Sequence, residues 1–507
     1  MAAHPVFTMS YIGVNAGMVI GVADDPGMHS SQNEQDSRNY AIAAKLLMLE
    51  PSDSAECRDM TKLAYALSEQ FDTPVMLRLS TRIAHSRSIV DTTDREDVPL
   101  KPYEKNQAKN IMLPAFARPK HEFVEKRTAA ERAWAETCSL NFVEDNGAKT
   151  GVIVAGSVYK YAKEALGDTV NYLKLGVVNP LPVEKIRSFA AGLETVYVIE
   201  ELDDIIESHC KKIGVPVVGK DVFPRCGEFS QKLIAEKLGI QRGESVSLEE
   251  DIPVRPPVMC CGCPHRGLFY ALKREGVYVS GDIGCYTLGA VAPYGACHTV
   301  IDMGASLSMA HGMELAGAPE RTGRPVVGVI GDSTFAHSGI TSMLGTIYNG
   351  GTGTLCILDN RTTAMTGTQG NPVNGVTLTD SSHKIGPLDN PSGKALDLLA
   401  LCRAMGVEDV AEVDAQDLQA VRSALRAAVA NTEQLSVIVF KAPCRLIDRS
   451  RGKEPTIRNC RACGQCVKIG CPALGRAKDG TAVIDPTQCV GCDQCVQSCP
   501  FGCITKE

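Results

Sequence analysis

Apolar runs of five or six residues recur along the chain, separated by stretches with helical spacing, the pattern of strands buried between helices. Residues 18–23 (MVIGVA) predict a buried strand, followed by a polar loop over 24–38 and a helix over 40–48. A helix over 59–70 leads to a second strand over 75–79, and the charged segment 91–132, with little periodicity, reads as a connecting arm. From Thr150 a new rhythm predicts strands at 151–155, 172–177 and 195–199 with helices between them, ending near Leu238. Residues 243–257 (GESVSLEEDIPVRPP), acidic and then proline-rich, read as a linker. A third α/β region runs to about Ala442, with strands at 326–330 and 354–358 around a helix over 340–348. A cysteine-rich tail follows the basic stretch 445–458.

Composition narrows the classes of function. At 507 residues the chain has room for three or four domains of about 150 residues. A net charge of -7 with 22% charged residues gives no polybasic surface, so nucleic acid is not an expected partner. Residues 1–11 lack a basic region leading into a sustained apolar run, so a cytoplasmic protein is expected. Residues 283–301 carry no Asp, Glu, Lys or Arg but are broken by glycines, Pro293 and His298; they read as buried loop and strand, and no membrane association is expected. The 21 cysteines point to metal or redox chemistry, the more so because nine of them lie between Cys460 and Cys503.

In that tail Cys460, Cys463 and Cys466 are spaced C-x2-C-x2-C ahead of Cys471-Pro472, and Cys489, Cys492 and Cys495 repeat the spacing ahead of Cys499-Pro500. Two such runs are the bacterial two-cluster ferredoxin pattern, in which the fourth cysteine of each run serves the other [4Fe-4S] cube. The expected sets are Cys460, Cys463, Cys466 with Cys499, and Cys489, Cys492, Cys495 with Cys471. Paired structural zinc sites are the alternative, but they need no proline after each fourth cysteine. The first run has four residues between Cys466 and Cys471 where three are usual, which predicts a bulged loop. Cys503 is surplus and reads as a small buried hydrophobe.

A second constellation lies upstream. The strand over 326–330 ends in Gly331-Asp332-Ser333, and the strand over 354–358 ends in Asp359-Asn360. A strand-helix-strand unit of this length sets its two parallel strands close together, with their carboxyl ends at the edge where ligands collect. Asp332 and Asn360 would each offer a hard oxygen there, and Gly331 would let the backbone approach a phosphate, which suits Mg2+ holding a diphosphate. Each residue alone serves as readily for a cap or a turn.

GDS followed by DN resembles the thiamine diphosphate motif. There the Asp, the final Asn and a carbonyl two residues later hold Mg2+, which implies Asp332, Asn360 and the carbonyl of Thr362. Ser333 and Asp359 depart from the motif at positions that are not ligands. GDSTFAHSGI with LDNRTTAMTG, CGCPHRGLFYAL, GDIGCYTLG, DDPGMHSSQNEQD and EPSD together resemble the large (alpha) subunit of indolepyruvate ferredoxin oxidoreductase, a 2-oxoacid:ferredoxin oxidoreductase, across essentially the whole chain. The resemblance implies an α/β fold of thiamine-diphosphate-type parallel-sheet domains plus a C-terminal two-[4Fe-4S] ferredoxin-like domain. It implies a partial pyrimidine-binding domain over 1–145, a transketolase C-terminal-like domain over 150–242, a thiamine diphosphate and Mg2+ domain over 255–444 and the ferredoxin-like domain over 455–507.

The implied activity is thiamine-dependent oxidative decarboxylation of an arylpyruvate to an acyl-coenzyme A, with a smaller beta subunit as partner and ferredoxin as acceptor. Pyruvate, 2-oxoglutarate or branched 2-oxoacids are the alternative substrates, and a non-catalytic electron-transfer subunit is the alternative role. Cys260, Cys263, Cys285 and Cys444 stand where related enzymes place the ligands of a further cluster beside thiamine, so a third cube is implied against four separate core thiols. His265 and Arg266 are candidates for diphosphate contact or for capping and ion pairing. His337, five residues after Asp332, is a candidate to approach the reacting carbon or a structural histidine. The family's substrate loop and its activating Glu find no counterpart in residues 1–33, which contain no Glu, so the chain is expected to begin inside the first domain and no catalytic acid or base is assigned.

Overall fold

Each apolar run that reads as a strand is paired into a sheet in the computed structural model, which describes residues 3–94, 97–99, 101–240, 250–381 and 392–506. The chain divides into two units, Met1–Glu249 and Glu250–Glu507.

The first unit holds two four-stranded sheets. The strands are β1 (Val19–Asp24), β2 (Met48–Leu49), β3 (Val75–Ser80), β4 (Phe142–Glu144), β5 (Thr150–Ala155), β6 (Asn171–Leu175), β7 (Val177–Asn179) and β8 (Thr195–Ile199). One sheet has the order β1-β3-β2-β7 and the other β4-β6-β5-β8. The run over 172–177, expected as one strand, is divided at Gly176, whose N–H bonds to the Leu140 carbonyl and to Asn141 Oδ1. As a result β6 and β7 belong to different sheets. The expected arm is a second departure: it contains a 24-residue helix, Pro114–Thr137, whose buried side chains are only Val124, Arg127, Glu131 and Ala135. With two charged residues among those four, no apolar stripe marks it in the sequence.

The second unit is built on five parallel strands, β9 (Tyr278–Ser280), β10 (Val326–Gly331), β11 (Thr354–Asp359), β12 (Asp409–Asp414) and β13 (Ser436–Lys441), in the order β12-β13-β11-β10-β9. β10 and β11 are neighbours, with Gly331 level with Leu358. One face of this sheet packs with Phe269 and Leu272 of the helix His265–Glu275 and with Val421 and Leu425 of the helix Leu418–Ala430. The same core includes Cys466, Ile469, Leu474 and Ile504 of the tail, so the cysteine-rich segment is anchored on the sheet domain. Burying side chains of this size stabilises each by about 1.5–3 kcal/mol. The other face packs on Phe335, Met343 and Leu398.

Residues 283–301, expected as buried loop and strand, instead form a short 3-10 helix, Cys285–Ala290, with loops on either side, and much of the segment is exposed, Val291 and Ile301 included. Among the described residues no helix is long and apolar enough to cross a membrane. Residues 243–249 of the expected linker lie outside the described residues.

Candidate functional site

At the carboxyl ends of β10 and β11 a cavity is lined by His265, Cys285, Tyr286, Met303, Gly331–Ser333, Asn360 and the stretch from Thr362 to Thr366. Gly331, Asp332, Ser333, Asn360, Thr362 and His265, all singled out in the sequence, meet here. Asp332 opens the helix that follows β10; this helix widens to π spacing over Phe335–Gly339 and continues as Ile340–Tyr348. Such widenings recur at functional sites.

Asp332 is buried: the Ser333 N–H reaches Oδ1 at 2.7 Å, Oδ2 has no partner at hydrogen-bond distance, and the neighbouring Asn371 amide, whose Nδ2 is also unpaired, offsets only part of the cost. Burial, reinforced by the charge of the neighbouring Asp359, pushes the Asp332 carboxyl well above the usual range. A cation against Oδ2 would remove both penalties at once.

Asn360 follows the end of β11, and Arg361 after it turns through the left-handed region at φ 62°. That reversal lets Asn360 Oδ1 accept from the Thr362 N–H at 3.3 Å while Asn360 Nδ2 lies 3.3 Å from His265 Nε2. His265 is buried edge-on against the Tyr286 ring, and burial lowers its pKa to about 4, so the imidazole is neutral at physiological pH. Tyr286 also explains Gly331: a Cβ there would lie 2.6 Å from the tyrosine ring. The space next to the Gly331 Cα is therefore taken by an aromatic side chain. Tyr286 and Met303 escaped the sequence reading because they come from 280–303, a segment without periodicity. Tyr286 at least sits inside the GDIGCYTLG run. His337 is exposed and does not line the cavity.

The donor set fits the implied ion. A carboxylate, an amide oxygen and a backbone carbonyl are hard ligands of the kind Mg2+ takes, and one of them is an orphaned buried oxygen.

Two further cavities lie in the tail. One is lined by Cys460, Cys463, Cys466 and Cys499, with Cys503 also at its wall. The other is lined by Cys471, Cys489, Cys492 and Cys495, with Cys261 and Arg266. Each thus gathers three cysteines of one run and the fourth of the other. The runs also share a backbone path. Ala462 and Gly491, second between the first two cysteines of each run, have φ 52° and 68°, and Gly464 and Asp493, just after the second cysteine, have φ 68° and 63°. Alternation of right- and left-handed residues turns successive N–H groups inward, the concavity in which anionic clusters sit. The four-residue gap before Cys471 is absorbed by a tight turn, Cys466–Ile469, closed by Gly470 at φ 71°. Among the described residues no three Cys, His, Asp or Glu side chains converge to hold a single ion.

Cys260 lies within electrostatic reach of Cys263, Cys285 and Cys444. Burial raises the Cys285 thiol to about 11, and Cys444 and Cys260 add to the rise; Cys263 is pushed to about 12 by burial, with Cys260 and Cys285 contributing. Gly262, second between Cys260 and Cys263, has φ 70°, as in the two tail runs. The Cys444 N–H bonds to the Asn360 carbonyl at 3.0 Å, and Cys285 is part of the wall of the Asp332 cavity, so this set borders that cavity. Arg266 does not enter the Asp332 cavity.

Comparison with known proteins agrees with this layout. Residues 282–440 match the model of the C-terminal TPP-binding domain of thiamine pyrophosphate enzymes, residues 14–142 that of the thiamine diphosphate-binding domain of pyruvate flavodoxin/ferredoxin oxidoreductases, and residues 482–505 that of 4Fe-4S binding domains. The chain is 36% identical to indolepyruvate oxidoreductase subunit IorA of Pyrococcus horikoshii and to its counterpart in Methanothermobacter marburgensis, and 35% identical to that of Archaeoglobus fulgidus. These alignments cover 99–100% of this chain and 83–84% of the relatives.

Proposed function

Since the chain belongs to the family of indolepyruvate oxidoreductase IorA subunits, we propose that it is the thiamine-bearing large subunit of an arylpyruvate:ferredoxin oxidoreductase. Its substrates are an aryl 2-oxoacid and coenzyme A, its partner is a smaller subunit, and its electron acceptor is ferredoxin. The observation that carries this reading is the unsatisfied Asp332 oxygen at the shared edge of β10 and β11, in the same unit as two four-cysteine cavities. When bound, thiamine diphosphate supplies an electron sink for the decarboxylated substrate carbon, and the iron-sulfur cubes accept single electrons.

The chain's own residues prepare for both. Asp332, Asn360 and the Thr362 carbonyl hold Mg2+ on the diphosphate side. His265, neutral through burial, holds a proton on one ring nitrogen without adding charge beside the ion and keeps Asn360 in place. Tyr286 fills the space against Gly331 and excludes water from the cavity floor. Cys460, Cys463, Cys466 and Cys499 hold one cube, Cys471, Cys489, Cys492 and Cys495 a second, and Cys260, Cys263, Cys285 and Cys444 a third. The third set is favoured by Cys285, which lines the Asp332 cavity, and by the Cys444 N–H bond to the Asn360 carbonyl. The four domains are assigned to 1–145, 150–242, 255–444 and 455–507.

The test is anaerobic co-production with the smaller subunit. Ferredoxin reduction dependent on coenzyme A and arylpyruvate, in preference to pyruvate, supports the reading; strong preference for pyruvate overturns the aryl assignment. About 12 irons per chain supports three cubes, and about 8 removes the third.

A further inference from the structure

Arg266 is 1% exposed, which places a guanidinium cation in the interior. Buried charges are ordinarily paired with an opposite one. Arg266 is held differently. Nη1 donates to the Tyr294 hydroxyl at 2.8 Å, to the Ile469 carbonyl at 3.2 Å and to the Gly470 carbonyl; Nη2 donates to the carbonyls of Met259 at 2.8 Å and Cys260 at 2.6 Å. Nε has no acceptor. Among the described residues these five bonds go to carbonyls and a phenol, and none goes to a carboxylate.

The acceptors have a pattern. Met259 and Cys260 begin the C-x2-C turn, whereas Ile469 and Gly470 lead directly into Cys471. The side chain lines the cavity of Cys471, Cys489, Cys492 and Cys495. The cavity of Cys460, Cys463, Cys466 and Cys499 has arginines too, Arg461 and Arg476, but both are exposed. Solvent screens an exposed cation far more than a buried one.

We propose that Arg266 is the internal counter-ion of the cube bound by Cys471, Cys489, Cys492 and Cys495, and holds its reduction potential above the value a neutral side chain would allow. The inference rests on reading the tail as a two-cluster module. Reduction adds one electron, hence one unit of negative charge, to the cube; no bond forms or breaks, and the guanidinium gives up no proton. The fixed cation interacts more favourably with the reduced cube than with the oxidised one, and the low dielectric of its surroundings enlarges that difference. Arg266 is thus a positioning residue for electrons, setting the level of one cube relative to its neighbour.

The test is an anaerobic dithionite titration of the full chain followed by EPR, in the wild type, Arg266→Gln and Arg266→Lys. Arg266→Gln should lower one midpoint by at least the 59 mV that corresponds to tenfold in a one-electron equilibrium, and leave the other tail couple where it was. Arg266→Lys, which keeps the charge but not the fork, should retain most of the wild-type midpoint. Unmoved midpoints in Arg266→Gln overturn the proposal. So does loss of the same cube in both variants from a loaded wild type, which would make Arg266 a brace for the loops alone. A wild type with no reducible cubes would overturn the tail reading itself, and the counter-ion with it.

Discussion

Asp24 and Asp332 stand in similar places, each at the carboxyl end of a parallel strand, and are 2% and 3% exposed, although β10 is buried throughout and β1, expected as a buried strand, lies half-exposed at the edge of its sheet. Their oxygens are treated in opposite ways. Asp24 accepts from Arg78 Nε at 2.6 Å, from the Ser37 N–H at 3.0 Å and from the Ser37 hydroxyl at 2.5 Å, and it sits in a network where Arg78 also holds Glu50 and Arg38 joins Asp36 to Glu200. Asp332 has one backbone donor, an oxygen without a hydrogen-bond partner and the charge of Asp359 nearby, offset in part by the Asn371 amide. The first edge supplies arginine and backbone donors to each of its carboxylates, although Glu50 Oε2 stays unpaired there; the second supplies no cation to Asp332 and leaves room for one from outside. Arginine repeats the lesson. Arg38 and Arg78 are neutralised by carboxylates, whereas Arg266 has only carbonyls, a phenol and nearby thiols.

Mutations that unbalance the closed edge should cost most. Arg78→Met strands Asp24 and Glu50, and is expected to destabilise the chain by about 3–5 kcal/mol in chemical denaturation. Glu201 is the carboxylate of that region whose donor is a backbone group, the Phe229 N–H, and burial raises its pKa to about 7. Its folded pKa lies above the unfolded value near 4.5, so the stability it contributes is full below pH 4.5 and is lost as pH rises through 7. Glu201→Gln should remove a decline of about 3 kcal/mol across that window, read as a flatter plot of stability against pH. Gly331→Ala drives a methyl into the Tyr286 ring and should cost about 1–3 kcal/mol by thermal unfolding. Asp332→Asn relieves an unsatisfied buried carboxylate, so its stability should change by less than about 1 kcal/mol or rise. A loss as large as that of Arg78→Met would mean that the second edge is architecture as well.

The open edge was largely legible beforehand. The β10-helix-β11 unit announces itself by two apolar runs that end in GDS and DN, and the tail by its cysteine spacing, because a strand terminus and a cluster loop each impose local residue types. What escaped depends on contacts distant in sequence. Tyr286 reaches Gly331 from a loop without periodicity. The helix Pro114–Thr137 hides its buried face because two of the four buried residues are Arg127 and Glu131. Arg266 was a candidate for diphosphate contact or for capping and ion pairing; adjacent positions on a helix face different ways, and only the fold shows it turned toward the tail cysteines.

Calorimetric titration of thiamine diphosphate into the anaerobically purified full chain, with and without Mg2+, tests the central claim most directly. The wild type should bind only with the cation present, and Asp332→Asn should bind about 10- to 100-fold more weakly while unfolding as the wild type does. Equal affinity in the two proteins, or binding indifferent to Mg2+, would contradict the assignment of this edge.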